Sequence, residues 1–397
     1  PTLTVDNGSC IYVPEEPLQL GSTIFSDFSF SDFGLGLSVS DDGSFIAIGD
    51  PYGDNSSPID DAIPNVAVYE LVNGDWTQRG STLFPVGNNL NSTRFGESVA
   101  ISNDASVLVV GLPDSYYGAF GVCRIYKWNG NDWYNSQSFN SPSNGYYEFG
   151  SAVAVSGDGE FIAISAPSSG NCYSGYVKVY QSNGNSYSEL GEISNPYYGT
   201  CSGPDWGRSI SLSNDGSTLA VNSGYNYVHV YDVSEDGLTQ KGNVLDGGSS
   251  GEVALSGSGD FLIIGTPGAD QEGLANSGKA EVFSWENGSW IELGQVILGD
   301  QVQEQVGRQV DISNSGTLIA ISAKGSLSNE TESYVEIFTI EEGSWIPTGP
   351  VVNAPSGSSS YYDLNLVLSG DGGVLGVGNH QEAEVLIFDT NPPCVAN

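Results

Sequence analysis

The sequence predicts an all-β chain folded as a seven-bladed β-propeller of four-stranded antiparallel blades. Three observations carry that expectation: a sevenfold ungapped repeat, strand-like alternation inside every repeat, and an N-terminal segment matching a strand that the last repeat lacks. The copies are FGLGLSVSDDGSFIAIGDP (33–51), FGESVAISNDASVLVVGLP (95–113), FGSAVAVSGDGEFIAISAP (149–167), WGRSISLSNDGSTLAVNSG (206–224), SSGEVALSGSGDFLIIGTP (249–267), VGRQVDISNSGTLIAISAK (306–324) and YDLNLVLSGDGGVLGVGNH (362–380). All share one serine: Ser40, Ser102, Ser156, Ser213, Ser256, Ser313 and Ser369. The glycine six positions earlier survives in five copies, and the proline eleven positions later in four. Successive serines lie 43 to 62 residues apart, the repeat size of solenoids, propellers and arrays.

Each copy holds two short Val- and Ile-rich runs, such as SVAIS and VLVVG, around a tight polar turn. Alternation over four to eight residues reads as strand. The turn is usually Ser-(Asn/Asp/Gly)-Asp-Gly, with Gly or Asn accepting the positive φ of a hairpin, so its aspartates are turn residues first. A third strand follows in every copy (NVAVYEL at 65–71 and GVCRIYKW at 121–128 are examples), and then a fourth, opened by Trp76, Trp133, Trp290 or Trp345 in four of them. Four antiparallel strands per radial unit make a propeller blade, and the tryptophans read as blade packing.

The last copy has three strands. LQLGSTIF (18–25) matches TQRGSTLF (77–84), the fourth strand of the first copy, so the N-terminal segment is expected to complete blade 7. The whole of 1–397 then reads as one domain, with blades at about 33–84, 95–139, 149–193, 206–245, 249–297, 306–351, and 362–389 plus 18–25. Closure places Cys10 beside Cys394, which predicts a disulfide between them. Cys172 and Cys201 lie in loops on one face of blade 3 and form a second predicted pair. Cys123 is left over, as a buried free thiol or an intermolecular one.

Paired cysteines imply an oxidising compartment. Sequons at Asn7, Asn55, Asn91, Asn287 and Asn329 fall mostly in predicted loops or termini, where N-linked glycans fit sterically. A start at Pro1 without any methionine reads as a processed mature protein or an excised region. The expected setting is secreted, at a cell surface or in a matrix. The net charge of −38, from 48 Asp+Glu against 10 Lys+Arg, excludes non-specific nucleic-acid binding, which needs clustered bases. It also disfavours anionic membranes. The apolar runs are too short to span a bilayer as helices.

The string FG-x-x-(V/A)-(A/S)-(V/I)-S…G-(A/T/L)-P…G-x-V-x-(V/I)-(Y/F) resembles the FG-GAP repeat of integrin α-subunit propellers and related extracellular proteins. The likeness spans essentially the whole chain, although copy 5 lacks the FG and copies 4, 6 and 7 lack the proline. It implies an extracellular adhesion propeller. It also implies calcium loops of DxDxDG type between the first two strands. Here those segments are SDDGS, SNDAS, SGDGE, SNDGS, SGSGD, SNSGT and SGDGG, without the spaced carboxylates that Ca2+ needs. The acidic loop bearing Asp50, Asp54, Asp60 and Asp61 is the candidate calcium site instead.

No catalytic constellation stands out. The two histidines, His229 and His380, have no nucleophile elbow to serve, and no carboxylate pair is marked for glycoside hydrolysis. The chain therefore reads as non-enzymatic, and two functions follow. The first is a structural or adhesive module that assembles with copies of itself or other extracellular proteins into a fibre or matrix. The second is a recognition domain for a glycan or protein, using the loops after strands two and four. Those loops carry Tyr52, Tyr116, Tyr117, Tyr146, Tyr147, Tyr197, Tyr198, Tyr361 and Tyr362. Tyrosine gives large contact area at low entropy cost.

Overall fold

The computed structural model describes residues 4–6, 9–11, 17–26, 32–52, 63–86, 93–113, 121–141, 148–167, 175–196, 206–223, 227–248, 251–325, 332–353, 364–379 and 382–390. It is a seven-bladed β-propeller of four-stranded antiparallel blades, as the repeats predict. The inner strands are Gly36–Val39, Val99–Ile101, Val153–Val155, Ile210–Leu212, Val253–Leu255, Val310–Ile312 and Leu364–Leu368. Each touches the inner strand of both neighbours, and the last touches the first, which closes the ring around an axis. Among the described residues, no helix is long and apolar enough to cross a membrane.

Closure runs as expected. Leu18–Gln19 and Ile24–Phe25 both pair with Glu384–Asp389 of blade 7, in the registers Gln19↔Phe388 and Val385↔Ile24. A hairpin of Thr4–Asp6 and Ser9–Ile11 precedes them.

The conserved serine explains the turn. Ser156 is fully buried. Its hydroxyl accepts from Phe161 N at 2.9 Å and donates to Asp158 Oδ1 at 2.6 Å, while Asp158 Oδ1 accepts from Glu160 N at 2.9 Å. The same bonds recur at Ser40–Asp42, Ser102–Asp104, Ser213–Asp215 and Ser369–Asp371, with Ser258 and Ser315 replacing the aspartate in blades 5 and 6. The hydroxyl satisfies a buried amide that the hairpin leaves open, which is why no copy dispenses with it. These hydrogen bonds also hold Asp42, Asp104 and Asp215 below the usual carboxylate range, against the upward push of partial burial.

Seven apolar layers fill the seven gaps between adjacent blades. The FG dipeptide sits in these gaps. Phe95 is fully buried, and Gly96 takes a φ of 88°, a left-handed value that favours glycine. A Cβ there would lie 2.6 Å from Val66 Cγ2 of the preceding blade.

The outer strands depart from the expected pattern. In blades 2 and 3 the fourth strand runs unbroken over eight residues, Trp133–Asn140 and Tyr187–Ser194. In the other five it splits, because Gly21, Gly80, Gly242, Gly294 and Gly349 bend the chain at φ between 73° and 78°. At four of the five bends, all but that at Gly349, the tryptophan of the next blade packs on the bend and caps it. Trp76, Trp133, Trp290 and Trp345 donate their indole N–H to Leu20 O, Arg79 O, Lys241 O and Leu293 O at 2.8–3.1 Å. The tryptophans thus staple blade to blade.

Candidate functional site

The inner strands leave one edge without a further strand, so amides facing the axis need other partners. Side chains of the preceding blade supply several. Ser38 Oγ accepts from Ile101 N, Ser211 Oγ from Leu255 N, and Asp311 Oδ2 from Leu368 N at 2.7 Å. Asp311 is thereby a structural acceptor despite its apolar setting. Burial raises its carboxyl to about 6 against the pull of the two amides that bind it.

One end of the axial channel is plugged. The residues after the seven anchor serines are Asp41, Asn103, Gly157, Asn214, Gly257, Asn314 and Gly370. Asn214 donates to Asp41 and to Asn314, both at 3.2 Å, and Asn314 donates to Asp41. Side chains from blades 1, 4 and 6 can meet in this way only on the axis. The glycines make room: a Cβ on Gly370 would lie 1.9 Å from Asp41 Oδ1, and one on Gly257 2.1 Å from Asn314 Oδ1.

Above the plug lies a chamber of about 220 Å³, and beyond it a wider cup of about 730 Å³ at the start of the inner strands. The loops after strands two and four emerge at this end. The positions just after the FG line the cup: Glu97 and Ser98 in blade 2, Ser151 in blade 3, Arg208 and Ser209 in blade 4, Glu252 in blade 5, Arg308 and Gln309 in blade 6, and Asn365 in blade 7. Arg94, Glu148, Asp32 and Tyr52 complete the ionisable wall. Three of the chain's five arginines therefore stand in one cavity of a protein with net charge −38.

Arg94 pairs with Glu97 and lies 3.9 Å from Glu148. Arg94 Nε and Glu97 Oε2 are buried without a hydrogen-bond partner among the described residues. Burial pushes the Glu97 carboxyl up to about 7; Arg94 opposes the shift and Glu148 adds to it. Burial also raises Glu252, against a hydrogen bond from Ser209 and the charges of Arg208 and Arg308. The Tyr52 hydroxyl rises for the same reason, with Glu97 adding to it.

Of the site residues expected from sequence, the structure places few. Asp50 is fully buried at the end of Phe45–Asp50, where Ser26 Oγ donates to it at 3.4 Å; Asp54, Asp60 and Asp61 lie outside the described residues. Among the described residues, no group of three or more His, Cys, Asp or Glu is arranged to hold a metal ion. Asn287 is exposed at the tip between the third and outer strands of blade 5, on the plugged face. The sequons at Asn7, Asn55, Asn91 and Asn329 lie outside the described residues. So do Tyr116, Tyr117, Tyr146, Tyr147, Tyr197 and Tyr198, along with Cys172, Cys201 and Cys394. Cys10 pairs through its backbone with Val5.

Cys123 is fully buried among Val109, Ile125, Phe149 and Ile162. It is a core thiol, with its pKa raised by burial, so the intermolecular alternative lacks an accessible sulfur. His229 is a packing residue too, set against Trp206 and bonded to Gln240 at 3.0 Å, with burial lowering its pKa.

The cup escaped the sequence reading, although a signal exists. The residue after the FG-type dipeptide is Glu97, Arg208 and Arg308 in copies 2, 4 and 6, a charge just ahead of an inner strand that in copies 2 and 4 is otherwise apolar or small. No known protein-family model matches the chain, and no curated protein matches its sequence.

Proposed function

We propose that this chain is a non-enzymatic, extracellular recognition module that takes its ligand into the axial cup. The carrying observation is the convergence of Arg94, Arg208 and Arg308 in one solvent-reaching cavity of an arginine-poor chain. A concave site with a few convergent polar groups is the usual form of a small-ligand site. The likeness to FG-GAP repeats supports an adhesive, secreted setting, and the exposed sequon at Asn287 leaves the cup free to bind when glycosylated. Calcium at the Asp50–Asp61 loop belongs to the same proposal as a structural ion.

The test is a binding screen of the glycosylated chain against glycans and extracellular proteins, paired with light scattering. A discrete particle that retains a ligand, and loses it in Ser151→Trp, which fills the cup, supports the reading. Concentration-dependent growth into fibres with no ligand retained overturns it. One observation favours that second, structural reading: the outer strand Trp133–Asn140 is an edge of eight residues without a charge or proline, the kind of edge that pairs with another chain.

A further inference from the structure

We infer that the cup is built for a carboxylated, polyhydroxylated ligand, an acidic sugar of the uronate class. Arg94, Arg208 and Arg308 would take its carboxylate, and the neighbouring hydroxyl, amide and carboxylate groups its hydroxyls. This rests on the recognition reading and names its ligand class.

The first argument is placement. The chain carries five arginines, and three of them, which come from or lead into blades 2, 4 and 6, line the one cup. The far field of a chain with net charge −38 repels anions, but that field is screened beyond about 10 Å in salt. An anion is then held by local contacts, and the planar guanidinium fork is the side chain best matched to a carboxylate.

The second argument is unused bonding capacity. Arg94 Nε and Glu97 Oε2 are a buried donor and acceptor without hydrogen-bond partners among the described residues, and such groups cost free energy that a shift of this pair toward a bound anion would relieve. The third is the rest of the wall. Ser98, Ser151, Ser209, Gln309 and Asn365 supply mixed donors and acceptors, and Glu148 and Glu252 accept. That set suits a ligand with many hydroxyls, and the apolar lining, from residues such as Leu35, Leu37, Val153 and Ile210, is the smaller part of the wall. A cavity of about 730 Å³ falls within the 300–1,000 Å³ or so typical of small-ligand pockets.

The charge balance also accommodates an anion. Asp32, Glu97, Glu148 and Glu252 oppose the three arginines, and Glu97 titrates near 7 with Arg94, Arg208 and Glu148 acting on it. Protonating Glu97 releases its claim on Arg94. Binding is therefore expected to tighten about tenfold from pH 8 to pH 6.

The experiment titrates the full glycosylated chain with glucuronate, glucose and acetate by calorimetry at pH 6 and pH 8. The inference expects glucuronate to bind more tightly than either single-feature probe, and more tightly at pH 6. R208Q and R308Q should each weaken it about tenfold or more, and E97Q should flatten the pH dependence. R308K keeps the charge but not the fork, and should also lose affinity; it serves if the neutral variants fail to fold. Glucose binding as tightly as glucuronate, or binding indifferent to the arginine variants, overturns the acidic-sugar inference and leaves cup recognition standing. Absence of glucuronate binding overturns the inference, and cup recognition falls too if Ser151→Trp alters capture of no ligand at all.

Discussion

Glu97 offers the most direct physical test of the cup. Its carboxyl is raised from 4.5 to about 7, chiefly by burial. At roughly 1.36 kcal/mol per pH unit, that shift is worth about 3 kcal/mol as an upper figure. The sign follows from linkage. Below pH 4.5 the group is protonated folded and unfolded, and its contribution to stability is complete. Between 4.5 and about 7 the unfolded chain releases the proton and the folded chain keeps it, so stability falls; above 7 both are ionised and the loss is constant.

Glu97→Gln removes this term and leaves the other carboxylates in place. The assay is the melting temperature of both proteins from pH 4 to pH 8.5. At about 2.1 cal/mol/K of unfolding entropy per residue, a 397-residue chain moves by about 1.2 °C per kcal/mol. The wild-type melting temperature minus that of E97Q should therefore drop by about 3–4 °C across the window and be flat on either side. A difference independent of pH, or one that rises with pH, would refute the account of Glu97 as an acid in a desolvated wall.

Three further outcomes follow from the fold. Trp345→Phe removes an indole that is 1 % exposed and orphans Leu293 O; it should cost about 2 kcal/mol, read by urea denaturation, and an unchanged midpoint would sink the staple. Ser156→Ala leaves Phe161 N without its acceptor and should cost about 1–3 kcal/mol. Asp158→Asn, which keeps an acceptor oxygen, should cost less, and a larger loss in Asp158→Asn would point away from a turn role. Cys123 should resist iodoacetamide at pH 8 until the chain is unfolded; rapid labelling of the native protein would contradict its burial.

The architecture was legible because a blade is a local object. Strand alternation, the Ser-x-Asp-Gly turn and the FG wedge all act within one repeat, and seven copies make the pattern hard to miss. Even the ring closure could be read, because LQLGSTIF and TQRGSTLF share residues that satisfy the same packing. Within the blades, the glycine bends that split five outer strands are not legible in the sequence, because four of them are completed by a tryptophan from the neighbouring blade.

What only the tertiary structure decided lies on the axis. Arg94, Arg208 and Arg308 are separated by about a hundred residues or more at each step, and nothing local says that their positions converge. The same holds for Asp41, Asn214 and Asn314, three turn residues whose side chains meet to plug the channel. Sequence by itself determined the repeat, the strand order and the closure, since each follows from hydrogen bonding and burial inside a unit. Ring formation decided the cup, since a sevenfold arrangement brings residues at the start of each inner strand to a single shared cavity.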